Sequence, residues 1–510
     1  MRRITRPATA AVTMTTALAA LAALSGCTDA SSTSGNAGGN HDTLTLGMTQ
    51  DIQGWDPTEQ PSYQGWGASA VYESLFRCDA LGKPHPAAAK SWTFAAGNTG
   101  VTVHLHPGMK FSDGTPVNAA AVKTMIEYAG KHGGSAARFA GMKVTTPDDL
   151  TAVITTPSPN PLLTARLCEA KLASPKYLAG GNTNKAPVGS GPYTLDTKAT
   201  TSGSVYTFVK NDNYWDSKTF PYKKLVLKVI ANETASINAL KTGQIDGSLI
   251  TQATYSQAKA SGLKIQTQHS QVSRLLLTDH LGKKIPALGD VNVRRAINMV
   301  FDKDAIAKNL YRGLAGTTPQ IFRPGSAAYI EGMKDPYPYD VKAAKALMAK
   351  AGYAKGFSIE VPYMQGQNMD TVLPMVKQQL GLLNIKVKQV TLSGPNAISE
   401  LLSGKYPMPF WMLGNYGDSR LDIGDYVLPD GNWNVMHQTD PTVAKLWKKI
   451  LTDDTAQSAK DQQAINRYVV DQAWFVPLAS PGMFYAYNSK IKVQQSTDPN
   501  ALHPLLWDFK

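Results

Sequence analysis

The alternation of hydrophobic and polar residues predicts a series of short strands in the first half of the chain. Alternation over five or six residues is typical of a half-buried strand, because successive side chains point to opposite faces. The segments predicted as strands are residues 43–48, 101–105, 151–156, 205–210 and 225–230. A shorter strand is predicted at residues 109–111, directly after the turn at Pro107-Gly108.

One helix in this half has a clear start and a clear apolar face. Asn118 stands at the N-cap position, where its side chain can accept a hydrogen bond from a free backbone N–H group. Val122, Met125 and Ile126 share one face of a helix predicted over residues 119–128. Residues 71–76 are predicted to be the end of an earlier helix.

The second half has a different pattern, in which amphipathic helices alternate with strands. Strands are predicted at residues 357–362 and 385–390, on either side of a helix at residues 371–383. A strand–helix–strand unit implies a parallel pair with the helix packed on it. A further helix, capped by Asp340, is predicted to continue to Ala351. This half is therefore predicted to be α/β.

The first 42 residues are predicted to be a targeting segment and a tether. Three arginines precede an apolar run that is short for a membrane span and ends in Leu24-Ser25-Gly26-Cys27, which looks like a bacterial lipobox. We predict a signal peptide at residues 1–26 and a lipid on Cys27; an ordinary cleavage site beside a chance cysteine is the alternative. Residues 27–42 are rich in Ser, Gly, Asn and Thr, which predicts a flexible tether.

Composition narrows the possible functions. The formal net charge is +13, and removing Arg2, Arg3 and Arg6 with the signal peptide leaves +10. The lysines are scattered and no basic run lies beside aromatics, so a solvated surface near an anionic membrane is favoured over nucleic-acid binding. The chain has no G-x-S-x-G, H-E-x-x-H, P-loop or G-x-G-x-x-G motif, and His104 and His106 lack a third metal ligand. We predict no enzyme, no metal site and no cofactor.

Several short motifs resemble one family. LHPGMKFSDGTPVNAAAV, at residues 105–122, is similar to the signature of the dipeptide, oligopeptide and nickel class (family 5) of extracytoplasmic solute-binding lipoproteins of ABC importers. PVGSGPY at 187–193, NDNYW at 211–215 and GQID at 243–246 resemble further family segments in the same order. The glycines of PVGSGPY also suggest close backbone approach. Ala121 departs from the family, which often has an acidic residue there.

The resemblance implies an α/β, two-lobed, periplasmic-binding-protein-like fold with a discontinuous first lobe and an appended subdomain. The expected ranges are residues 43–72, 187–270 and 482–510 for lobe I, 73–186 for the subdomain and 271–481 for lobe II. The implied function is capture of a peptide or similar small polar solute between the lobes and its delivery to a membrane permease. The protein is expected to be a monomer anchored by lipid to the outer face of the cell membrane. An oligosaccharide or chelated nickel is the alternative ligand, and a secreted hydrolase on the same scaffold is a third possibility.

Candidate ligand-binding residues come from two loops and their neighbours. The loop after the first strand is rich in Gly and Pro and carries three aromatics within twelve residues. Residues 409–420 (PFWMLGNYGDSR) resemble the family's W-x-x-D-Y-x-D loop, which contributes to the ligand cleft. The predicted ligand-binding residues are Trp55, Tyr63, Trp66, Tyr363, Trp411, Asn415, Tyr416, Asp418 and Trp433.

The remaining cysteines leave two alternatives open. Cys78 and Cys168 follow the predicted lipidation site and are expected outside the reducing cytosol. They either form a disulfide or are two separately buried thiols.

One departure from the family bears on the ligand. In peptide-binding relatives an aspartate of the loop pairs with the ligand's N-terminal ammonium, and here Asn415 stands at that position. Burying a cation without a partner costs several kcal/mol, so Asp418 or another acid would have to replace that aspartate. Residues 363–367 also lack the arginine that some relatives offer to the ligand's carboxylate. We therefore predict weak or no binding of free dipeptides and a longer, blocked or uncharged ligand.

Overall fold

The computed structural model describes most of the chain after the tether. The described residues are 42–59, 65–79, 83–133, 136–181, 183, 186–269, 271–364, 369–393, 397–453, 456–494 and 503–510. The chain divides into two compact units, Met1–Asn40 and His41–Lys510, and all described residues belong to the second. The predicted signal peptide, Cys27 and Tyr63 lie outside the described residues. Below, the first lobe means residues 42–72, 187–269 and 482–510, the subdomain 73–186 and the second lobe 271–481.

The first lobe is built on a seven-stranded mixed sheet. Its strands, in order across the sheet, are Tyr193–Leu195, Val205–Lys210, Lys224–Val229, Thr43–Met48, Gly247–Ile250, Met483–Tyr487 and Lys264–Gln268. Thr43–Met48 runs parallel to both of its neighbours. Leu44, Leu46 and Met48 on this strand are buried, in agreement with its predicted alternation. The α-helices of this lobe are Gly65–Val71, Glu233–Lys241 and Tyr255–Ala260.

The subdomain is a four-stranded antiparallel sheet with a helix packed on it. The strands, in sheet order, are Ala89–Phe94, Gly100–Leu105, Thr151–Thr155 and Lys143–Asp148. The helix Ala119–Ala129 begins as predicted, because the Asn118 side chain accepts a hydrogen bond from the Ala121 backbone N–H at 3.0 Å. Two short strand pairs join Glu73–Ser74 to Lys171–Leu172 and Phe76–Cys78 to Pro84–Pro86. The other helices are Ala136–Phe139, Leu163–Glu169 and Pro175–Ala179.

Two local predictions in this region differ from the structure. The strand predicted at residues 109–111 is reduced to an isolated antiparallel bridge between Lys110 and Pro116, in which the Phe111 N–H donates to the Thr115 carbonyl and the Val117 N–H donates to the Met109 carbonyl, both at 2.9 Å. The tight turn between the two paired segments leaves no room for a longer ladder. The helix predicted through residues 71–76 ends at Val71. Beyond it the backbone pairs with strand residues distant in sequence, so tertiary pairing overrides the local helical pattern.

The glycines of the PVGSGPY segment explain part of this change. A Cβ atom at Gly189 would lie 2.0 Å from the Val71 carbonyl oxygen, and one at Gly191 would lie 2.6 Å from that of Ala70. The Gly191 N–H also donates to the Val71 carbonyl at 3.0 Å. The predicted close approach of the backbone is therefore present, and it holds the end of the Gly65–Val71 helix.

The second lobe contains an antiparallel sheet and a separate parallel pair of strands. The sheet order is Ala315–Gly316, Phe475–Pro481, Gln271–Leu276 and Phe410–Gly414. Ser358–Met364 and Lys386–Leu392 are parallel, which confirms the predicted strand–helix–strand unit around the helix Met369–Gly381. The other α-helices are Pro286–Gly289, Val291–Met299, Lys303–Ala305, Val341–Lys350, Ala397–Leu401, Ser419–Tyr426, Pro441–Thr452 and Ala456–Asp471.

Two strand connections join the lobes. Lys264–Gln268 of the first sheet leads into Gln271–Leu276 of the second, and Phe475–Pro481 of the second leads into Met483–Tyr487 of the first. The first lobe and the subdomain share one large hydrophobic cluster, and the second lobe has clusters of its own. A smaller first-lobe cluster around Phe484 also contacts Leu314 of the second lobe. Two lobes that are joined by few strand connections and have largely separate cores can change their relative orientation by a hinge motion.

Candidate functional site

A cavity of about 430 Å³ lies between the two lobes. Its walls come from the first lobe, from the subdomain and, through one tyrosine, from the second lobe. The lining residues are Pro57, Thr58, Met125, Ala129, Arg138, Phe139, Cys168, Glu169, Ala170, Lys171 and Tyr416. We call this cavity the interlobe cleft. Of the predicted ligand-binding residues, Tyr416 lines it.

The subdomain wall of the cleft is rich in cations. Glu169 is shared by two arginines, with Arg138 Nη1 at 3.1 Å from Oε2 and Arg166 Nη1 at 3.5 Å from Oε1. Lys171 Nζ donates instead to the Ser74 hydroxyl at 3.0 Å. Burial lowers the pKa of Lys171, although the charges of Glu73 and Glu169 act in the opposite direction, and within the part of the chain that the structure describes no carboxylate lies within ion-pair distance of it.

Sequence reasoning did not identify these charged residues. Arg166, Glu169 and Lys171 lie within six residues of one another, at the end of the helix Leu163–Glu169 and in the strand Lys171–Leu172. Their closeness in an otherwise apolar segment is the only signal in the sequence. That pattern is equally typical of a solvated helix end, so it did not single them out.

On the second-lobe side of the cleft, the strand Phe410–Gly414 leads into residues 415–418 of the predicted ligand-binding segment. We call these four residues the ligand loop. Tyr416 is held by two acids of the following helix: its hydroxyl donates to Asp425 Oδ2 at 2.9 Å and its backbone N–H to Asp422 Oδ1 at 3.1 Å. Burial and the neighbouring Asp425 carboxylate raise the pKa of Tyr416, so its hydroxyl stays protonated. Its proton is donated to Asp425, and its oxygen can still accept a hydrogen bond.

The neighbouring residues of this loop reach other cavities. Asn415 donates its side-chain N–H to the Ile321 carbonyl at 2.8 Å and lines a cavity of about 380 Å³ beside the strand connections. Asp418 lines a third cavity of about 410 Å³ that also includes subdomain residues. The structure therefore does not bring Asn415, Tyr416 and Asp418 into one cavity.

Asp418 is engaged by its own helix. It caps Ser419–Tyr426 by accepting the Arg420 backbone N–H at 2.9 Å. The Arg420 guanidinium also binds both carboxylate oxygens, with Nη2 at 2.6 Å from Oδ2. The carboxylate that was predicted to be able to pair with a ligand ammonium is thus already neutralised by a bidentate arginine.

The predicted tryptophans fall into two groups. Trp55 and Trp66 are 6% and 3% exposed and lie in the core of the first lobe. Trp55 packs edge-on against Tyr206, and Trp66 donates to the Pro504 carbonyl at 2.7 Å. Their burial gives both side chains a packing role and does not support direct ligand contact.

The tryptophans of the second lobe are less buried. Trp411 and Trp433 pack on each other, with ring centroids 5.3 Å apart. Both also pack against a small hydrophobic cluster that contains Leu392 and Tyr406. Tyr363, at the end of the strand Ser358–Met364, is half-buried at the edge of the second-lobe core.

A disulfide lies behind the cationic wall. Cys78 and Cys168 are joined with their Cα atoms 5.7 Å apart, which links the strand Phe76–Cys78 to the helix Leu163–Glu169. Cys168 also lines the interlobe cleft. The cross-link therefore anchors the helix that presents Glu169.

The ligand loop rests on a buried charge cluster. Asp422 is fully buried beneath Tyr416, and burial raises its pKa to about 7 against the opposing effects of the Tyr416 N–H, Arg274 and Arg323. Arg274 is also fully buried, with its guanidinium 5.0 Å from the ring centroid of Tyr426.

The fold and the cleft define a two-lobed binding protein, and the family model agrees. The model of the bacterial extracellular solute-binding proteins, family 5, matches residues 83–433. The match spans more than half of the chain, so this protein belongs to the bacterial extracellular solute-binding proteins, family 5. This is a family of solute-binding proteins and not of enzymes.

Individual relatives support the same family assignment. The glutathione-binding protein GsiB of Escherichia coli O6:K15:H31 (strain 536 / UPEC) is 29% identical over 350 residues, which span 66% of this chain and 66% of GsiB, just under two thirds of that relative. The ABC transporter substrate-binding protein CtaP of Listeria monocytogenes has a TM-score of 0.78 at 20% identity, over 92% of this chain and 98% of CtaP. DppA of Helicobacter pylori, solved with the peptide STSA, has a TM-score of 0.76 at 21% identity, over 92% of this chain and 97% of DppA. Both solved structures share the two-lobed α/β fold of this chain.

Proposed function

We propose that this protein is the substrate-binding component of an ABC importer and captures a small polar solute that carries an anionic group. The observation behind the anionic group is Lys171, a cleft-lining lysine whose described partner is the neutral Ser74 hydroxyl. Lys171 is half-buried, and shielding its ammonium group from water is costly unless a counter-charge pairs with it directly, which neither Glu73 nor Glu169 does. A carboxylate of the solute would supply that charge when the lobes close.

A peptide-like solute is the first candidate. GsiB is named as a glutathione-binding protein and DppA was solved with a peptide, and both kinds of ligand carry carboxylates. The loop argues against a free N-terminal ammonium as the main recognition element, because Asn415 is neutral and Asp418 is bound by Arg420. A solute that combines a carboxylate with a blocked, distant or absent ammonium therefore suits the cleft.

The importer role also implies a location in the cell and a partner protein. We propose that Cys27 carries the lipid, that the protein acts as a monomer on the outer face of the cell membrane, and that it delivers the solute to a permease. Burial of the solute between the lobes, with its polar groups matched by fixed donors and acceptors, would give both affinity and a closed form for the permease to recognise.

The solute should be identified before the contact is tested. Mass spectrometry of small molecules that co-purify with the mature protein would name it, and calorimetry would then compare Lys171→Gln with the wild type. We expect the Kd to rise roughly 10- to 100-fold, as for loss of a charge-assisted hydrogen bond.

Lys210→Gln is a matched control. Lys210 is another half-buried lysine that donates to a protein oxygen, the Phe220 carbonyl at 2.6 Å, but it does not line the cleft. Its substitution should leave the Kd within about twofold, since no solute contact is lost. A co-purified solute without any anionic group, or an unchanged Kd for Lys171→Gln, would refute the proposed contact.

A further inference from the structure

The subdomain touches the second lobe through the tip of one hairpin. Residues 95–99 connect the strands Ala89–Phe94 and Gly100–Leu105. At this tip, Asn98 Nδ2 donates to the Leu451 carbonyl at 2.9 Å. Leu451 lies in the last turn of the second-lobe helix Pro441–Thr452. This hydrogen bond joins the subdomain to the second lobe.

The tip is built to hold that amide in place. Gly97 and Asn98 both have positive φ values, 67° and 56°, in the left-handed region that asparagine tolerates better than most other residues. The Asn98 carbonyl accepts the Asn160 backbone N–H at 2.8 Å, and the Ala95 N–H donates to the Gly100 carbonyl at 2.8 Å. The backbone on both sides of the amide is therefore fixed within the subdomain.

The acceptor is suited to a donor from outside its helix. The last four carbonyls of an α-helix have no partner within the helix, and the C-terminal end carries the negative pole of the helix dipole. A side-chain N–H group from another body satisfies one of these carbonyls. The contact is therefore favourable when the lobes are closed, and water replaces it when they separate.

A second contact lies close to the first in the subdomain chain. The Leu162 side chain lies beside the helix Ser419–Tyr426, since a Cβ atom built at Gly424 would lie 3.8 Å from Leu162 Cδ1. Asn160 connects the two contacts, because its side chain accepts the Leu162 N–H at 3.0 Å while its own N–H binds Asn98. The helix touched by Leu162 follows directly after the ligand loop.

We propose that Asn98 and Leu162 form a latch that stabilises the closed arrangement of the two lobes. These residues determine solute affinity by setting the closed-to-open ratio, although neither lines the interlobe cleft. The latch rests on the closure mechanism of the proposed function but not on the identity of the solute. It consists of protein atoms alone, so it acts in the solute-free protein as well.

Small-angle X-ray scattering of the solute-free protein, analysed as a mixture of closed and open forms, tests the latch. Asn98→Gly keeps the backbone conformation and removes the amide, and we expect it to lower the closed-to-open ratio roughly two- to tenfold, the range for one hydrogen bond. Asn98→Asp replaces the donor by an acceptor that faces a carbonyl and should lower the ratio further. Leu162→Ala, an independent variant, should lower it as well.

Asn384→Gly is the matched control. Asn384 also has a positive φ, 59°, and its side chain also donates to a backbone carbonyl, that of Ala354 at 3.0 Å, but both residues belong to the second lobe. We expect no change in its closed-to-open ratio. A wild type that is wholly open without solute, or latch variants with the wild-type ratio, would overturn the proposal. A failure to find any solute would count against the proposed function and leave this solute-free result standing.

Discussion

At the scale of single residues, the ligand loop shows that the type of a residue does not determine its structural or functional role. Asp418 is an acid three residues after the position of the family aspartate, yet in the structure it caps a helix and pairs with Arg420. Trp55 and Trp66 come from a segment rich in Gly and Pro that was predicted to be a binding loop, yet Trp66 lies in the helix Gly65–Val71 and both are core residues. An aromatic ring serves a core and a binding surface equally well, so the sequence could not distinguish these roles.

Free dipeptides should bind weakly or not at all, because the cleft has no free carboxylate at the loop for their ammonium group. Calorimetry against a panel of dipeptides should show no micromolar binding. Asp418→Ala should nevertheless destabilise the fold by about 1–2 kcal/mol in urea unfolding, since it removes an N-cap. Asp418→Asn retains a capping side chain and should cost less. Micromolar dipeptide binding that is lost in Asp418→Asn would restore the ammonium-pairing role of Asp418.

Asp422 should make stability depend on pH. Its folded pKa of about 7 lies above the value of 3.8 for a free side chain, so between these values the folded state binds more protons than the unfolded state. The free energy of unfolding should therefore fall as pH rises from about 4 to about 7, by up to a few kcal/mol from this residue. The charged groups that face it are Arg274 and Arg323, and they limit the effect.

Asp422→Asn tests this assignment, because the amide cannot ionise. Urea unfolding of the variant and the wild type should be compared at several pH values across that window. The stability of the variant relative to the wild type should increase as pH rises and level off above about 7. A difference that stays constant with pH would show that Asp422 does not titrate in this range.

At the scale of elements, most of the strands and helices could be predicted, and the exceptions have a common cause. The alternating segments and the capped helices are local signals, and they match strands such as Thr43–Met48 and helices such as Val341–Lys350. Residues 71–76 do not continue the helix because their backbone pairs with strand residues distant in sequence, and residues 109–111 form only an isolated bridge because a tight turn follows at once. The cation-rich wall of the cleft could not be predicted for the same reason, because the role of its charged residues depends on the distant segments that face them.

The disulfide should stabilise the subdomain and, through the helix Leu163–Glu169, the cleft wall. Thiol titration of the unfolded, unreduced soluble fragment should find no free thiol. Replacing Cys78 and Cys168 together by serine should lower the free energy of unfolding by about 2–5 kcal/mol, because the bond constrains a long loop of the unfolded chain. Two free thiols in the titration would contradict the bond, and unchanged stability of the double variant would contradict its structural role.

At the scale of the whole molecule, the resemblance to the family predicted more of the architecture than the hydrophobic periodicity could. Segments separated by more than 200 residues share the first-lobe sheet, as Thr43–Met48 and Gly247–Ile250 do. Strand pairings over such a sequence separation cannot be recognised from the pattern of a few neighbouring residues. Only the family motifs, found in the right order, indicated them. The interlobe cleft is likewise assembled from distant segments, such as Pro57, Arg138 and Tyr416. Its existence could be predicted from the family, but its charges could not.

The last prediction concerns the placement of the whole protein in the cell. Residue 27 follows an apolar run and two small residues in the order typical of a lipoprotein signal, and it lies outside the described residues. If a lipid on Cys27 is the anchor, the mature protein begins at Cys27 and sediments with membranes, because the buried acyl chains favour the bilayer by about 0.8 kcal/mol per CH₂ group. Cys27→Ala should release the protein or leave it unprocessed, as shown by membrane fractionation and N-terminal sequencing. A variant that is cleaved and still membrane-bound would rule out this anchor.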